Sequence, residues 1–188
     1  MQLSLFLCVL HRTWESLESC GLTLGKVSQR FLNKTRSTLY SHLFDHAQVL
    51  STNDENLKAF YQLLFLITLE FSHPGITDMV RYLSRLQDLA QISSSELSTR
   101  HCLALHATTA GVLYLVSKMT SNQVLKDHVL EVVERRKNSA PDLLPDSLFA
   151  PEVADGPGTN LTALDPELLF QLKERGLLEP PPDQKKGV

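Results

Sequence analysis

His42 and His46 stand one helical turn apart with Asp45 between them. Two histidines at i and i+4 on one helix face can grip a zinc ion, and H-x-x-E-H is an inverted metalloprotease pattern. Asp45 replaces the glutamate of that pattern and shortens the base by one methylene. No further Glu or His stands in an evident third-ligand context, so the pair reads as two helix-surface histidines and no metal is expected. Cys102 directly follows His101. Adjacent helical residues point apart, so the two cannot form a nucleophile–base pair. Cys102 reads as a small buried hydrophobe. The chain has no G-x-S-x-G, no glycine-rich phosphate loop and no dinucleotide fingerprint. Hence no catalytic or cofactor-binding residue is assigned, and no partner-binding residue is singled out. Arg135-Arg136-Lys137 is too sparse for a localisation signal. It reads instead as the cationic end of a helix, where such charges suit the macrodipole.

The elements that would carry these residues are helices. At 188 residues and 43% hydrophobic composition, the chain can build one core and still leave a tail. A net charge of −3 gives no basic field for nucleic acid. Cys8, Cys20 and Cys102 are an odd set without metal-ligand spacing, which points to a reducing compartment. Residues 1–25 are read as an N-terminal segment of uncertain form. Its apolar run Leu3–Leu10 is far too short to span a bilayer. With no Lys or Arg before it, the run reads as the end of a buried helix rather than a secretory signal, and a secreted helical protein stays open as an alternative.

From Lys26 the pattern is helical. A first helix is expected near Ser28–Ala47, with Phe31, Leu39, Leu43 and Ala47 on its inner face. A second starts at Asp54 after the break at Ser51-Thr52-Asn53. It is apolar on nearly every side over Leu63–Leu69, so burial between neighbours is expected. His73-Pro74-Gly75 reads as a stop and turn. A third helix then carries Ile76, Met79, Val80, Leu83, Leu86 and Ala90, with Arg81, Arg85 and Asp88 toward water. Ser93-Ser94-Ser95-Glu96 reads as a capping box for a fourth helix, about Glu96–Met119. The small residues Ala104, Ala107, Ala110 and Gly111 would let another helix approach that one closely. A fifth is expected from Thr120 or Ser121, with Val124, Leu125, Val129, Val132 and Val133. Short connections favour antiparallel neighbours. The expected fold is therefore all-α: an armadillo/HEAT-like stack of helical hairpins over 26–149, although no strict sequence repeat is visible. Residues 150–188 read as a largely disordered low-complexity tail, with one short helix at Pro166–Arg175. Leu143, Leu144, Leu148 and Phe149 are expected to fold back over the last hairpin.

An ordered set of short pieces carries a family resemblance. Phe31-Leu32-Asn33-Lys34 and Leu39-Tyr40-Ser41-His42 are similar to an F-M-x-K…L-Y-x-H segment. Tyr61–Glu70, Val80-Arg81, Leu86-Gln87-Asp88 and Leu115–Met119 follow in order. Glu131–Arg136 and the Ala140-Pro141, Leu144-Pro145, Phe149 series match E-V-I-E-x-R and A-P-x-x-L-P-x-x-x-F. The set resembles the rolling blackout, or eighty-five-requiring (EFR three), family over roughly Lys26–Phe149.

The resemblance implies a non-enzymatic scaffold or adaptor on a helical-repeat rod, peripheral to the cytosolic face of the plasma membrane. It implies recruitment of the type III alpha phosphatidylinositol 4-kinase, with a tetratricopeptide-repeat scaffold and hyccin as partners. The family's cysteine-rich anchor has no counterpart in Cys8 and Cys20, so a fragment or truncated form is expected, cytosolic if it lacks that anchor. Such a piece of rod should expose an apolar face where upstream repeats would stack. A generic helical interaction domain without a membrane role and a lipid hydrolase are the alternatives.

Overall fold

The computed structural model describes residues 26–49, 53–70, 73–92 and 97–149. Among them are six α-helices and one 3-10 turn, with no strand. They are α1 (Lys26–Val49), α2 (Asp54–Glu70), α3 (His73–Ile92), α4 (Thr99–Met119), α5 (Gln123–Ser139), a 3-10 turn (Pro141–Leu143) and α6 (Asp146–Phe149). The expected N-terminal helix end, the capping box at 93–96, the tail and its Pro166–Arg175 helix lie outside the described residues, as does the side chain of Phe149.

Local chemistry sets the helix starts. The Asn53 side chain accepts from the Glu55 amide, and its carbonyl takes the first helical bond, from Leu57. Three boundaries differ from expectation. His73-Pro74-Gly75 forms the first turn of α3 rather than a break, because proline near a helix start forfeits only an amide that has no partner there. α4 starts at Thr99 rather than near Glu96, and is capped by Ser98, whose hydroxyl accepts from the His101 amide. α5 is capped by Asn122, which accepts from the Leu125 amide, rather than by Thr120 or Ser121.

The packing order follows from α1 and α3. Arg36 pairs with Asp78 at 2.8 Å, Tyr40 stacks on Tyr82 at 5.1 Å, and the Arg85 guanidinium lies 4.1 Å over the Phe44 ring. Residue numbers rise together along both helices, so α1 and α3 run parallel. α2 connects the end of α1 to the start of α3 and therefore runs back between their levels. The step from Arg36 to Asp78 recurs unchanged from Tyr40 to Tyr82, and from Phe44 to Arg85 it is shorter by one position. This near-constant step falls within the armadillo/HEAT spacing of about 40–47 residues. The repeat is thus present as geometry where it is invisible as sequence identity.

α1 packs mainly on α3, and α2 mainly on α4, so the chief contacts of these helices skip one element instead of joining chain neighbours. α4 is the centre, touched by α2, α3, α5, the 3-10 turn and α6. It is the one described helix long and apolar enough to cross a membrane, and most of it is buried in this core. The core holds Leu57, Leu64, Met79, Leu83, Leu86, Leu105, Leu113, Val129 and Val132, all nearly inaccessible.

Two helix faces depart from expectation. Phe31 is 65% exposed rather than inward. α2 is buried on one face only: Leu57, Phe60, Tyr61, Leu64 and Thr68 face the core, while Leu63 and Leu66 face outward. An apolar composition identified α2 as a packing helix. It could not say how many neighbours the described part of the stack supplies.

Candidate functional site

Buried polar groups meet where α4, α5 and the chain after α5 come together. Arg136 is fully buried, which corrects its reading as a plain surface cation at a helix end. Its neighbours keep that role: Arg135 pairs with Glu131 and Lys137 with Glu134 on the outer face. Leu125, Val129, Val132 and Arg136 recur at four-, three- and four-residue steps. Arg136 therefore continues the apolar stripe of α5, and that spacing was the signal available in the sequence.

Nη1 of Arg136 donates to the Leu143 carbonyl at 3.2 Å and to the His106 carbonyl at 3.4 Å. One side chain thus joins the end of α5, the middle of α4 and the strap that follows Ala140. Burial pushes the Arg136 pKa down to about 10, still well above neutrality, so the guanidinium stays charged.

The strap is shaped by its prolines. Pro141 opens the 3-10 turn, and Ala140 adopts φ −151°, ψ 63° before it, outside the helical region that a following proline disfavours. Leu143, Leu144, Pro145 and Leu148 are buried, which bears out the fold-back of the three leucines. Ser147 Oγ ties the strap to itself through the Asp142 and Leu144 carbonyls. Arg100 of α4 reaches the Ser147 carbonyl at 3.5 Å. Pro145 sits on Gly111: a Cβ there would lie 2.7 Å from Pro145 Cγ and 2.8 Å from Tyr61 Cε2. The small-residue stretch of α4 thus admits a proline and a tyrosine ring.

His106 lies under this strap. It is buried, and neither ring nitrogen has a hydrogen-bond partner. Burial first, and the Arg136 charge second, push its pKa down to about 3. An unfolded-chain histidine takes up its proton near pH 6.5. Between those values the unfolded state binds the extra proton. Stability is therefore complete above about pH 6.5 and is lost as pH falls toward 3. From pH 7 to pH 5, His106 should remove about 2 kcal/mol of stability. Burial pushes His101 down as well, with the same sign. His106→Leu should remove most of that slope in urea titrations at the two pH values. An unchanged slope would mean that the imidazole is solvated.

The other candidates lie apart. His42 and His46 are exposed on α1, and no group of three or more His, Cys, Asp or Glu among the described residues could hold a metal ion. Cys102 is a buried free thiol whose pKa burial raises, and the neighbouring His101 hydrogen-bonds the Ala47 backbone. What this site does chemically is lock a strap onto a helix stack.

A parallel, near-constant offset between α1 and α3, with a strap closed on the central helix, is the geometry of an armadillo-type helical repeat. The chain belongs to the EFR3 family: the family model described as EFR3, armadillo repeat, matches residues 7–175. Protein EFR3 homolog B of Homo sapiens is 31% identical over 165 residues, 85% of this chain and 20% of that protein. Protein EFR3 homolog B of Mus musculus is 32% identical over 120 residues, 63% of this chain and 15% of that protein. Protein EFR3 homolog A of Mus musculus matches to the same extent, at 32% over 120 residues. The chain therefore spans a fifth or less of the length of these relatives. No solved structure matches it.

Proposed function

We propose that the chain acts as a non-enzymatic adaptor. In this reading it is part of an EFR3-type rod that helps bring the type III alpha phosphatidylinositol 4-kinase, with its tetratricopeptide-repeat scaffold and hyccin, to the cytosolic face of the plasma membrane. The observation that carries the reading is the armadillo-repeat family match across residues 7–175. The geometry agrees with it. Arg136, His101, His106 and Cys102 are all sealed in the core, which leaves helix faces for recognition. Family membership speaks for a scaffold over an enzyme, and the adaptor would act through surface shape and charge.

The test is affinity capture of the tagged chain from cells, with a full-length relative in parallel. Co-purification of the kinase, its scaffold and hyccin is the expected result. Failure to capture them, while the relative does, would reduce the chain to a generic helical interaction domain. Turnover of diacylglycerol by the purified chain, abolished by one serine substitution, would replace the adaptor with a lipid hydrolase.

A further inference from the structure

His106 is 1% exposed, and neither of its ring nitrogens has a hydrogen-bond partner. It can gain a proton only where water reaches it, and the packing sets the smallest opening that lets water in. α4 is the central helix, held by α2 and α3 as well as by α5, so it cannot itself swing out. At the level of His106 the cover is the last turn of α5 with the strap. Arg136 Nη1 draws both in through the His106 and Leu143 carbonyls. At Ala140 the chain has already left the helix, so the strap can lift without unwinding the rest of α5.

The charged surroundings give this opening its sign. From α5 the Arg136 guanidinium acts on His106, so a proton on the imidazole sets two cations side by side in the core. The carboxylates of the neighbouring elements are placed elsewhere. Asp146 of α6 acts on Tyr61 of α2 and is itself acted on by Lys137, while Asp142 of the 3-10 turn is exposed. On α3, Asp78 pairs with Arg36 and Arg81, Arg85 lies over Phe44, and Asp88 is half-buried. Two further histidines are buried: His128 earlier on α5, and His101 on α4, which hydrogen-bonds the Ala47 backbone.

We propose that the last turn of α5 and the strap, Arg136–Leu148, form an acid-released clasp. Protonation of His106 beside Arg136 drives this segment off α4 and bares the apolar seat of Leu143, Leu144 and Leu148, while the rest of the stack stays folded. The closed clasp excludes the proton, and the open one admits it near pH 6.5, the ordinary value of a hydrated histidine. Opening is therefore insensitive to pH above about 6.5 and rises about ten-fold for each unit below it, roughly 25-fold from pH 7 to pH 5. Asp146, whose pKa burial raises, works against this, because acid favours its seated form. The clasp holds whether or not the adaptor reading does.

Amide hydrogen exchange of the full chain, corrected for the intrinsic rate at each pH, reads the opening. The Leu143, Leu144 and Leu148 amides donate to the Ala140, Pro141 and Pro145 carbonyls and serve as probes. They should exchange faster than the amides of α2 and α3, ignore low urea, and still gain roughly 25-fold from pH 7 to pH 5. His106→Gln should abolish that gain, and His101→Leu should leave it. Leu143→Ala should speed the strap amides by one factor at both pH values, so that their ratio is kept. The inference falls if the strap amides share the rate and urea response of α2 and α3, which would mean that His106 meets water only on global unfolding. It falls equally if the gain survives His106→Gln. Should that variant not fold, the wild-type profile decides: a strap opening that does not rise below pH 6.5 ends the proposal.

Discussion

Arg136→Ala should lower the unfolding free energy by about 3–5 kcal/mol, read from urea denaturation followed by circular dichroism. The loss has two parts. The Leu143 and His106 carbonyls lose a charge-assisted donor inside the protein. The removal of a large, fully buried side chain also leaves a cavity between α4, α5 and the strap. A domain of this size holds only about 5–15 kcal/mol in total, so the strap end should melt early. Arg136→Met separates the two parts. It keeps most of the buried volume and removes a charge whose desolvation is costly, so it should retain at least about 2 kcal/mol of what alanine loses. An Arg136→Ala protein within about 0.5 kcal/mol of wild type would mean that Arg136 does not clasp the strap.

Gly111→Val should cost about 3 kcal/mol and loosen the strap, making the bonds around Pro141–Leu148 a site of limited proteolysis. A Cβ at Gly111 would sit 2.7 Å from Pro145 Cγ, and 2.8 and 2.9 Å from Cε2 and Oη of Tyr61. Neither obstacle is a floppy side-chain end. Pro145 is a ring in a turn, and Tyr61 is buried against α4. Alanine is the instructive comparison. It gains about 1 kcal/mol of helix propensity over glycine, against about 1–3 kcal/mol for overpacking. Gly111→Ala should therefore be mildly destabilising and valine, with two more carbons, clearly so. A valine variant as stable and as protease-resistant as wild type would show that the strap does not rest on this helix.

The helices themselves were legible. α2 begins where Asn53 and Asp54 promised, and the inner faces of α3 and α5 hold Met79, Leu83, Leu86, Val129 and Val132 as their periodicity required. That signal is local, since apolar spacing depends only on the helix that bears it. What escaped depends on partners. Phe31 and Leu66 have the composition of core residues, yet their burial is decided by what lies opposite. His73-Pro74-Gly75 has the composition of a turn, but a helix start tolerates the same residues. Arg136 was hidden by its neighbours: three cations in a row look like one solvated cluster until their positions on the wheel are separated. The structural repeat escaped because stacking conserves the level of contacts and leaves the residues free to differ.

The three α1–α3 contacts differ from one another: an ion pair, then stacked tyrosines, then a cation over a phenylalanine ring. Slide α3 by one turn, about 5.4 Å, and both the ion pair and the tyrosine stack are lost. In one direction Arg36 would face Tyr82 and Tyr40 would face Leu86. In the other Tyr40 would face Asp78. A seam of identical leucines would accept such a slip at little cost. This one is keyed, so a slipped stack gives up its ion pair and its tyrosine stack.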